Sequence, residues 1–126
     1  MDLKLNHKNA LVCGSTQGIG KATAMLLAAE GVNVTLCARN EERLKQVLSE
    51  LPSHRNHNYI VADFSNPKDL QKKVTDFITN NHGFHILINN TGGPRSGSIL
   101  DASLEEFENA FTQHLKCNHV LAQATI

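Results

Sequence analysis

The sequence is poor in the features that would signal a secreted, membrane-bound or nucleic-acid-binding protein. It has no tryptophan, three cysteines, and twelve basic and twelve acidic side chains in 126 residues. A net charge of zero gives no electrostatic reason to expect a nucleic acid or an anionic membrane as a partner. Three widely spaced cysteines exclude a disulfide framework and indicate free thiols in a reducing compartment.

Long apolar stretches are missing as well. No run approaches the roughly 18 apolar residues of a transmembrane helix. The opening segment, MDLKLNHKN, is polar and lacks the apolar run of a signal peptide. We therefore expect a cytoplasmic protein with no membrane partner.

What the chain does have is a regular alternation of short apolar runs with helical patterns. We expect strands at residues 10–13, 32–37, 59–62 and 84–88, and helices at residues 19–29, 41–50, 67–80 and 103–126. Each crossover is long enough for a helix, so the sheet should be parallel with helices on both faces. The pattern predicts one α/β domain over residues 1–126, a doubly wound, Rossmann-type fold of strand order 3-2-1-4.

Capping residues mark the ends of these helices. Gly31 is expected to end the first helix, and Asn40 to cap the second. Asn66, which precedes a proline, has the pattern of a helix start. Ser103 and Glu106 have the spacing of a capping box at the start of the fourth helix.

The final residues, LAQATI, lie inside a helical pattern, and the fourth strand, HILIN, would form an apolar open edge of the sheet. From these two features we expect the chain to be the front part of a longer fold, truncated after the fourth helix. A natural terminus combined with oligomerisation is the alternative.

Three glycines, Gly14, Gly18 and Gly20, stand between the first strand and the first helix. Such a loop presents backbone N–H groups at a helix N-terminus, which favours phosphate. The triphosphate motif G-x-x-x-x-G-K-[ST] would need a glycine at position 15 and a hydroxyl at position 22, where Ser15 and Ala22 stand. The common dinucleotide pattern G-x-G-x-x-G does not fit either, but Gly14-x-x-x-Gly18-x-Gly20 is a longer loop with the same parts. Its position between a strand and a helix favours binding, although a plain tight turn also uses glycine.

The segment containing these glycines resembles the T-G-x-x-x-G-I-G motif of the short-chain dehydrogenase/reductase family, with Cys13 in place of the threonine. CARN ends the second strand, ADF the third and INNTGG the fourth, where that family has corresponding motifs. The resemblance implies a nicotinamide cofactor. The cofactor-binding residues it implies are Gly14, Ser15, Gln17, Gly18, Ile19, Gly20, Arg39, Asn40, Asp63, Phe64, Asn90, Thr91 and Gly92.

Arg39 decides between the two nicotinamide cofactors. An NAD site normally carries an acidic residue after the second strand, which binds the ribose hydroxyls. A guanidinium at this place instead pairs with the 2′-phosphate of NADP. We therefore predict NADP(H), with a merely solvated Arg39 beside Glu41 and Glu42 as the alternative.

The resemblance also assigns roles at the other strand ends. It implies that Asp63 accepts a hydrogen bond from the adenine amino group and that Phe64 covers the ring, although Asp63 could instead form a turn. Asn90 would support the sheet and contact the cofactor, unless it only terminates the strand. Thr91 would add a hydroxyl near the nucleotide, and Gly92 would allow close backbone approach.

The catalytic residues of the family have no counterpart in this chain. The family uses Tyr-x-x-x-Lys and a serine, but the one tyrosine here, Tyr59, is followed four residues later by Asp63. We also expect Tyr59 to be buried in a strand. His114 stands where the family has an asparagine, and Asn118 follows one helical turn later. Because His114 departs from the family pattern, we assign no catalytic residue in this chain.

The pairs His54-x-x-His57 and His82-x-x-His85 have no Cys or carboxylate cluster nearby, so we predict no metal site.

Taken with the resemblance, these features predict the cofactor half of an NADPH-dependent reductase of the 3-oxoacyl-carrier-protein reductase type. The substrate would be a small carbonyl compound, reduced to a secondary alcohol. The family's habit of assembly implies a homo-oligomer through residues 110–126. A non-catalytic dinucleotide-binding module is the alternative.

Overall fold

The computed structural model describes residues 1–52 and 55–126. These residues form a four-stranded parallel sheet with helices on both faces. The strands are β1 (Asn9–Cys13), β2 (Asn33–Ala38), β3 (Asn58–Val61) and β4 (Ile86–Ile88). The helices are α1 (Gly18–Ala29), α2 (Glu41–Glu50), α3 (Pro67–Asn80), α4 (Leu104–Phe111) and α5 (Cys117–Thr125), with a π segment (Thr112–Lys116) between the last two.

The strands lie in the order β3-β2-β1-β4, which confirms the predicted Rossmann-type topology. In the ladder, Cys13 of β1 is paired with Cys37 of β2, and Leu11 with Leu87 of β4. All pairings are parallel, so the carboxyl ends of the four strands meet at one edge. In open α/β sheets this edge is where ligands bind.

Side chains that alternate along each strand supply the two cores. In β1, Ala10 and Val12 face one cluster, and Leu11 and Cys13 face the other. The first cluster takes buried residues from α1 and α2, and the second from α3 and α5. The sheet is therefore covered on both faces, as the doubly wound pattern predicts.

The expected capping residues cap the helices. The side chains of Asn40, Asn66 and Ser103 accept hydrogen bonds from backbone N–H groups of α2, α3 and α4, each at 3.1 Å. Oε2 of Glu106 accepts a hydrogen bond from Ser103 N at 3.0 Å, which completes the capping box. Gly31, just past α1, has φ +86°, the left-handed conformation that ends many helices.

The fourth helix differs from the expectation of one regular helix over residues 103–126. Its π segment, Thr112–Lys116, widens the helix at one turn. π-Helical turns inside α-helices occur frequently at functional sites. In this one, Nδ1 of His114 lies 2.6 Å from Oγ1 of Thr91, at the end of β4.

Two histidines of these pairs, His57 and His85, bond to the backbone near the starts of β2 and β1. Nδ1 of His57 accepts a hydrogen bond from Val34 N at 3.0 Å, and Nδ1 of His85 accepts one from Asn9 N at 2.9 Å. His82 stacks edge-on against Phe77, with ring centroids 5.4 Å apart. His54 lies outside the described residues. Within residues 1–52 and 55–126, no group of three or more potential ligands could hold a metal ion.

A membrane span is not among the described elements: no helix within residues 1–52 and 55–126 is both long and apolar enough to cross a bilayer.

Candidate functional site: a cleft at the carboxyl ends of the strands

A cleft of about 790 Å³ opens where the carboxyl ends of the strands meet. Its volume lies within the range of small-molecule and cofactor sites. It is lined by Gly14, Thr16, Gln17, Gly18, Ile19, Ala38, Arg39, Asn40, Arg43, Asp63, Phe64, Asn90, Thr91, Gly92, Gly93 and Gln113. All residues implied by the family motifs line this cleft except Ser15 and Gly20.

The glycine loop takes the conformations that its residues were expected to supply. Gly14 and Gly18 have φ of +58° and +57°, in the left-handed region that favours glycine. A Cβ on Gly20 would meet the Gly14 carbonyl oxygen and would lie 2.7 Å from Nδ2 of Asn90. Gly20 therefore contributes close packing of α1 against the strand ends rather than a surface of the cleft.

The start of α1 differs from the starts of α2, α3 and α4. Asn40, Asn66 and Ser103 cap those helices, whereas Gln17, at the cap position of α1, makes no such side-chain bond. The first turn of α1 also contains no acidic residue. Its N–H groups and the positive end of its dipole therefore face the cleft uncapped, as a phosphate site requires. Ile19 adds an apolar side chain there that is 78 % exposed.

The side chains of Ser15 and Asn90 hold the glycine loop after β1 in place through hydrogen bonds. Ser15 is fully buried, and its Oγ accepts a hydrogen bond from Cys37 N at 3.1 Å, so its side chain fastens the loop to β2 and does not reach the cleft. Nδ2 of Asn90 donates to the Cys13 and Gly14 carbonyl oxygens at 3.3 and 3.2 Å. The loop after β1 is thus joined to both neighbouring strands.

Two guanidinium groups, on Arg39 and Arg43, line the cleft beyond β2. The nearby carboxylates of Glu41 and Glu42 instead approach Lys45, at 3.9 and 3.8 Å. Neither arginine forms an ion pair with a carboxylate in the part of the chain that the structure describes. Sequence reasoning missed Arg43, although its place three residues after the Asn40 cap puts it on the same helix end.

Asp63 and Phe64 line the cleft beyond β3. Oδ1 of Asp63 accepts a hydrogen bond from Ser65 N at 2.8 Å. The pKa of Asp63 is lowered chiefly by its bonds from Ser65, with a smaller contribution from the Arg39 charge. Asp63 is therefore an ionised acceptor at neutral pH. The carbonyl oxygen of Phe64 accepts a bond from Sγ of Cys117 at 3.0 Å, which connects this wall to α5.

The wall beyond β4 is formed by Thr91, Gly92 and Gly93, with Gln113 of the π segment. Gln113 was missed at the level of sequence because a π turn moves residues off the regular helical spacing, and nothing in the local pattern marks one. His114, its neighbour, does not line the cleft but bonds to Thr91 from behind.

Tyr59 corrects one expectation about the site. It is only partly buried, because β3 is an edge strand. Its hydroxyl donates to Oε1 of Glu41 at 3.0 Å, and this bond to a carboxylate raises the pKa of Tyr59. The tyrosine does not line the cleft, so the described residues supply no tyrosine that could act as a proton donor there.

Residues 8–126 match the family model for short-chain dehydrogenases. Among curated relatives, a glucose 1-dehydrogenase of Gluconobacter oxydans is 34 % identical over 121 residues, covering 90 % of this chain and 46 % of the relative. An NADPH-dependent pterin aldehyde reductase of Arabidopsis thaliana is 31 % identical over 110 residues, covering 86 % and 46 %. The chain spans about half the length of the curated relatives it matches.

Solved structures agree with this family match. L-sorbose reductase of Gluconobacter frateurii, complexed with NADPH and L-sorbose, superposes with a TM-score of 0.91 at 27 % identity, over 99 % of this chain and 48 % of that one. A short-chain dehydrogenase of Burkholderia cenocepacia, in complex with NADP, has a TM-score of 0.87 at 32 % identity, over 96 % and 50 %. The chain belongs to the short-chain dehydrogenase/reductase family.

Proposed function

We propose that residues 1–126 form the NADP(H)-binding domain of an oxidoreductase that reduces a small carbonyl compound to a secondary alcohol. The bound dinucleotide would supply the hydride. The residues of this chain would bind and orient it, with the pyrophosphate at the uncapped start of α1 and the adenosine between Arg39 and Asp63. Ser15, Gly20 and Asn90 would hold the loop that receives the pyrophosphate.

The observation that carries this proposal is the pair of guanidinium groups, Arg39 and Arg43, at the end of β2. Binding of NAD relies on a carboxylate at this place, and a carboxylate would repel a 2′-phosphate. The acidic residues present here, Glu41 and Glu42, are turned toward Lys45. Two cationic side chains that form no ion pair with a carboxylate of residues 1–52 and 55–126 therefore favour a phosphorylated ribose.

The names of the relatives support the same class of reaction. The pterin aldehyde reductase is NADPH-dependent, and the sorbose reductase was solved with NADPH and a sugar. We propose a ketone as the substrate class. An activity of the 3-oxoacyl-carrier-protein reductase type stays a prediction. The proton donor is not assigned to this chain, because its one tyrosine is bonded to Glu41 outside the cleft.

We propose the cytoplasm as the compartment, since the three cysteines are free and buried. Self-association through the fourth helix is also proposed. Its support is a row of exposed apolar side chains on α4 and the adjoining turns, namely Ile99, Leu100, Leu104, Phe107, Phe111 and Leu115. The expected interface over residues 110–126 shifts toward the chain start, because Cys117, Val120 and Leu121 are buried within the chain.

The test is a fluorescence titration of the 126-residue chain with NADPH and with NADH. We expect Arg39→Ala to weaken NADPH binding about tenfold to a hundredfold, the range for losing a hydrogen bond to a charged group, and to leave NADH binding unchanged. Lys8→Ala removes a positive charge at an exposed position just before β1, at the opposite edge of the sheet from the cleft, and is the control. An Arg39→Ala variant that kept its preference for NADPH would contradict the assignment.

A further inference from the structure

The proposed function leaves one contact unexplained, the hydrogen bond between Thr91 and His114. The two atoms, Oγ1 and Nδ1, lie 2.6 Å apart in a partly buried position. Thr91 lines the cleft just beyond β4, whereas His114 lies in the π segment behind it. The contact therefore joins the wall of the cleft to the widened turn of the helix.

The position of one proton decides what Thr91 can offer to a ligand. If Nδ1 of His114 accepts, the hydroxyl hydrogen of Thr91 points at the imidazole and only the lone pairs of the oxygen remain for the cleft. If Nδ1 carries the hydrogen instead, the Thr91 hydroxyl is free to donate into the cleft. The tautomer of His114 thus sets Thr91 as an acceptor or as a donor.

Asn118 favours one of these tautomers. It lies four residues after His114, so the two side chains are neighbours on the helix. Nε2 of His114 and Oδ1 of Asn118 are both buried, and neither has a hydrogen-bond partner within residues 1–52 and 55–126. A hydrogen on Nε2 makes these two atoms a complementary donor and acceptor. With the hydrogen on Nδ1, both Nε2 of His114 and Oδ1 of Asn118 would remain buried acceptors without a donor, which is costly.

We propose that His114, held as the Nε2–H tautomer by Asn118, is a positioning residue that fixes the Thr91 hydroxyl as a hydrogen-bond acceptor toward the cleft. The group that binds at Thr91 must then be a donor, such as a hydroxyl or an amide N–H. NADP(H) carries both kinds of donor. The identity of this ligand rests on the proposed function, whereas the tautomer and its link to Asn118 do not.

The first test needs no ligand. Long-range proton–nitrogen correlation spectra of the uniformly ¹⁵N-labelled chain report which ring nitrogen of a neutral histidine carries the hydrogen. We expect His114 to be protonated on Nε2, with slow exchange of that hydrogen, and Asn118→Leu to weaken this preference. A hydrogen on Nδ1, or an Asn118→Leu spectrum identical to that of the wild type, overturns the proposal.

The second test measures NADPH affinity by fluorescence. His114→Asn puts an amide oxygen near the place of Nδ1 and keeps the acceptor for Thr91, whereas His114→Leu removes it. We expect His114→Leu to weaken binding about fivefold, as for the loss of one neutral hydrogen bond, and His114→Asn to restore most of that loss. His119→Leu, at an exposed position of the same helix, is the control and should bind as the wild type does.

The two tests distinguish a failure of the positioning role of His114 from a failure of the proposed NADP(H)-binding function. Equal affinities of His114→Leu and His114→Asn for NADPH overturn the positioning role. A purely steric role would not distinguish the amide of asparagine, which accepts a hydrogen bond, from the apolar leucine side chain of similar size. A wild-type chain that fails to bind NADPH contradicts the proposed function, and the tautomer measurement then still decides whether Asn118 sets the state of His114.

Discussion

The helices α3 and α4 carry the same sequence signals for a helix, but the apolar side chains of α3 are buried within the chain and those of α4 are exposed. Each starts with a side-chain cap and each carries an apolar stripe. In α3, Leu70 and Val74 are fully buried in the core cluster that also contains residues of α5. In α4 no residue is buried, and Leu104 and Phe107 are 82 % and 69 % exposed.

This difference teaches that capping and periodicity predict a helix and its apolar face but not the partner of that face. The stripe of α3 is covered by the sheet and α5 within the chain. The exposed apolar side chains of α4 are continued by Leu100 in the turn before it and by Leu115 in the π segment, and no element among the described residues covers them. Large contiguous apolar surfaces of this kind mark interaction sites.

The largest expected effect compares one leucine from each helix. Leu70→Ala in α3 should lower the free energy of unfolding by about 2–5 kcal/mol, because it leaves a cavity in a packed core. Leu104→Ala in α4 should change it by no more than about 0.5 kcal/mol at low protein concentration. Urea denaturation followed by circular dichroism measures both. Similar losses in the two variants would mean that α4 is packed as α3 is.

A second experiment asks whether another copy of the chain covers α4. We expect the weight-average mass in sedimentation equilibrium to rise with concentration. Phe107→Ser should weaken this self-association about tenfold or more, since buried aromatic anchors dominate interfaces. Glu30→Ser, at an exposed position just past α1, is the control. A wild-type chain that stays monomeric at every concentration would rule out the homo-oligomer through this helix.

Most of the fold could be predicted from the sequence because its signals are local. The caps at Asn40, Asn66 and Ser103 and the left-handed Gly31 lie where the pattern put them. Strand ends were less exact: β4 begins at Ile86 and not at residue 84, and Phe84 packs against Phe77 with ring centroids 5.5 Å apart.

The cleft was only partly predictable, because its remaining residues depend on long-range packing. Gln113 reaches it through the π turn, which no local pattern encodes, whereas Arg43 could have been found from its place three residues after the Asn40 cap. Ser15 looks like a ligand in the motif but is buried against β2. Tyr59 was expected to be buried as a strand residue, and it is not, because β3 lies at the edge of the sheet.

A third experiment removes the two caps. Asn66→Ala and Ser103→Ala should each cost about 1 kcal/mol of helix stability. In α3 the cost should appear in global unfolding, because that helix is part of the core. In α4 it should appear as faster amide hydrogen exchange confined to the helix, with an unchanged midpoint of denaturation. Global destabilisation by Ser103→Ala would show that α4 unfolds together with the rest of the chain.

The smallest expected effect concerns two lysines, Lys72 on the surface of α3 and Lys116 at the end of the π segment. Nζ of Lys72 lies 2.7 Å from Oδ2 of Asp76, whereas Lys116 forms no ion pair within residues 1–52 and 55–126. The hydrogen bond to Asp76, and then its charge, raise the pKa of Lys72. Because this pKa is higher in the folded chain, the pair stabilises the fold below the ordinary lysine pKa of about 10.4.

That contribution should disappear as the pH rises through the folded pKa of Lys72. We therefore expect Lys72→Gln to lower the melting temperature slightly at neutral pH, by less than the cap variants do, and to match the wild type at strongly alkaline pH. Salt should shrink the difference, since both side chains are exposed. Lys116→Gln is the control and should leave the melting temperature close to that of the wild type. If both variants behaved alike, the ion pair would add nothing to α3, and burial of Leu70 and Val74 alone would account for the difference between the two helices.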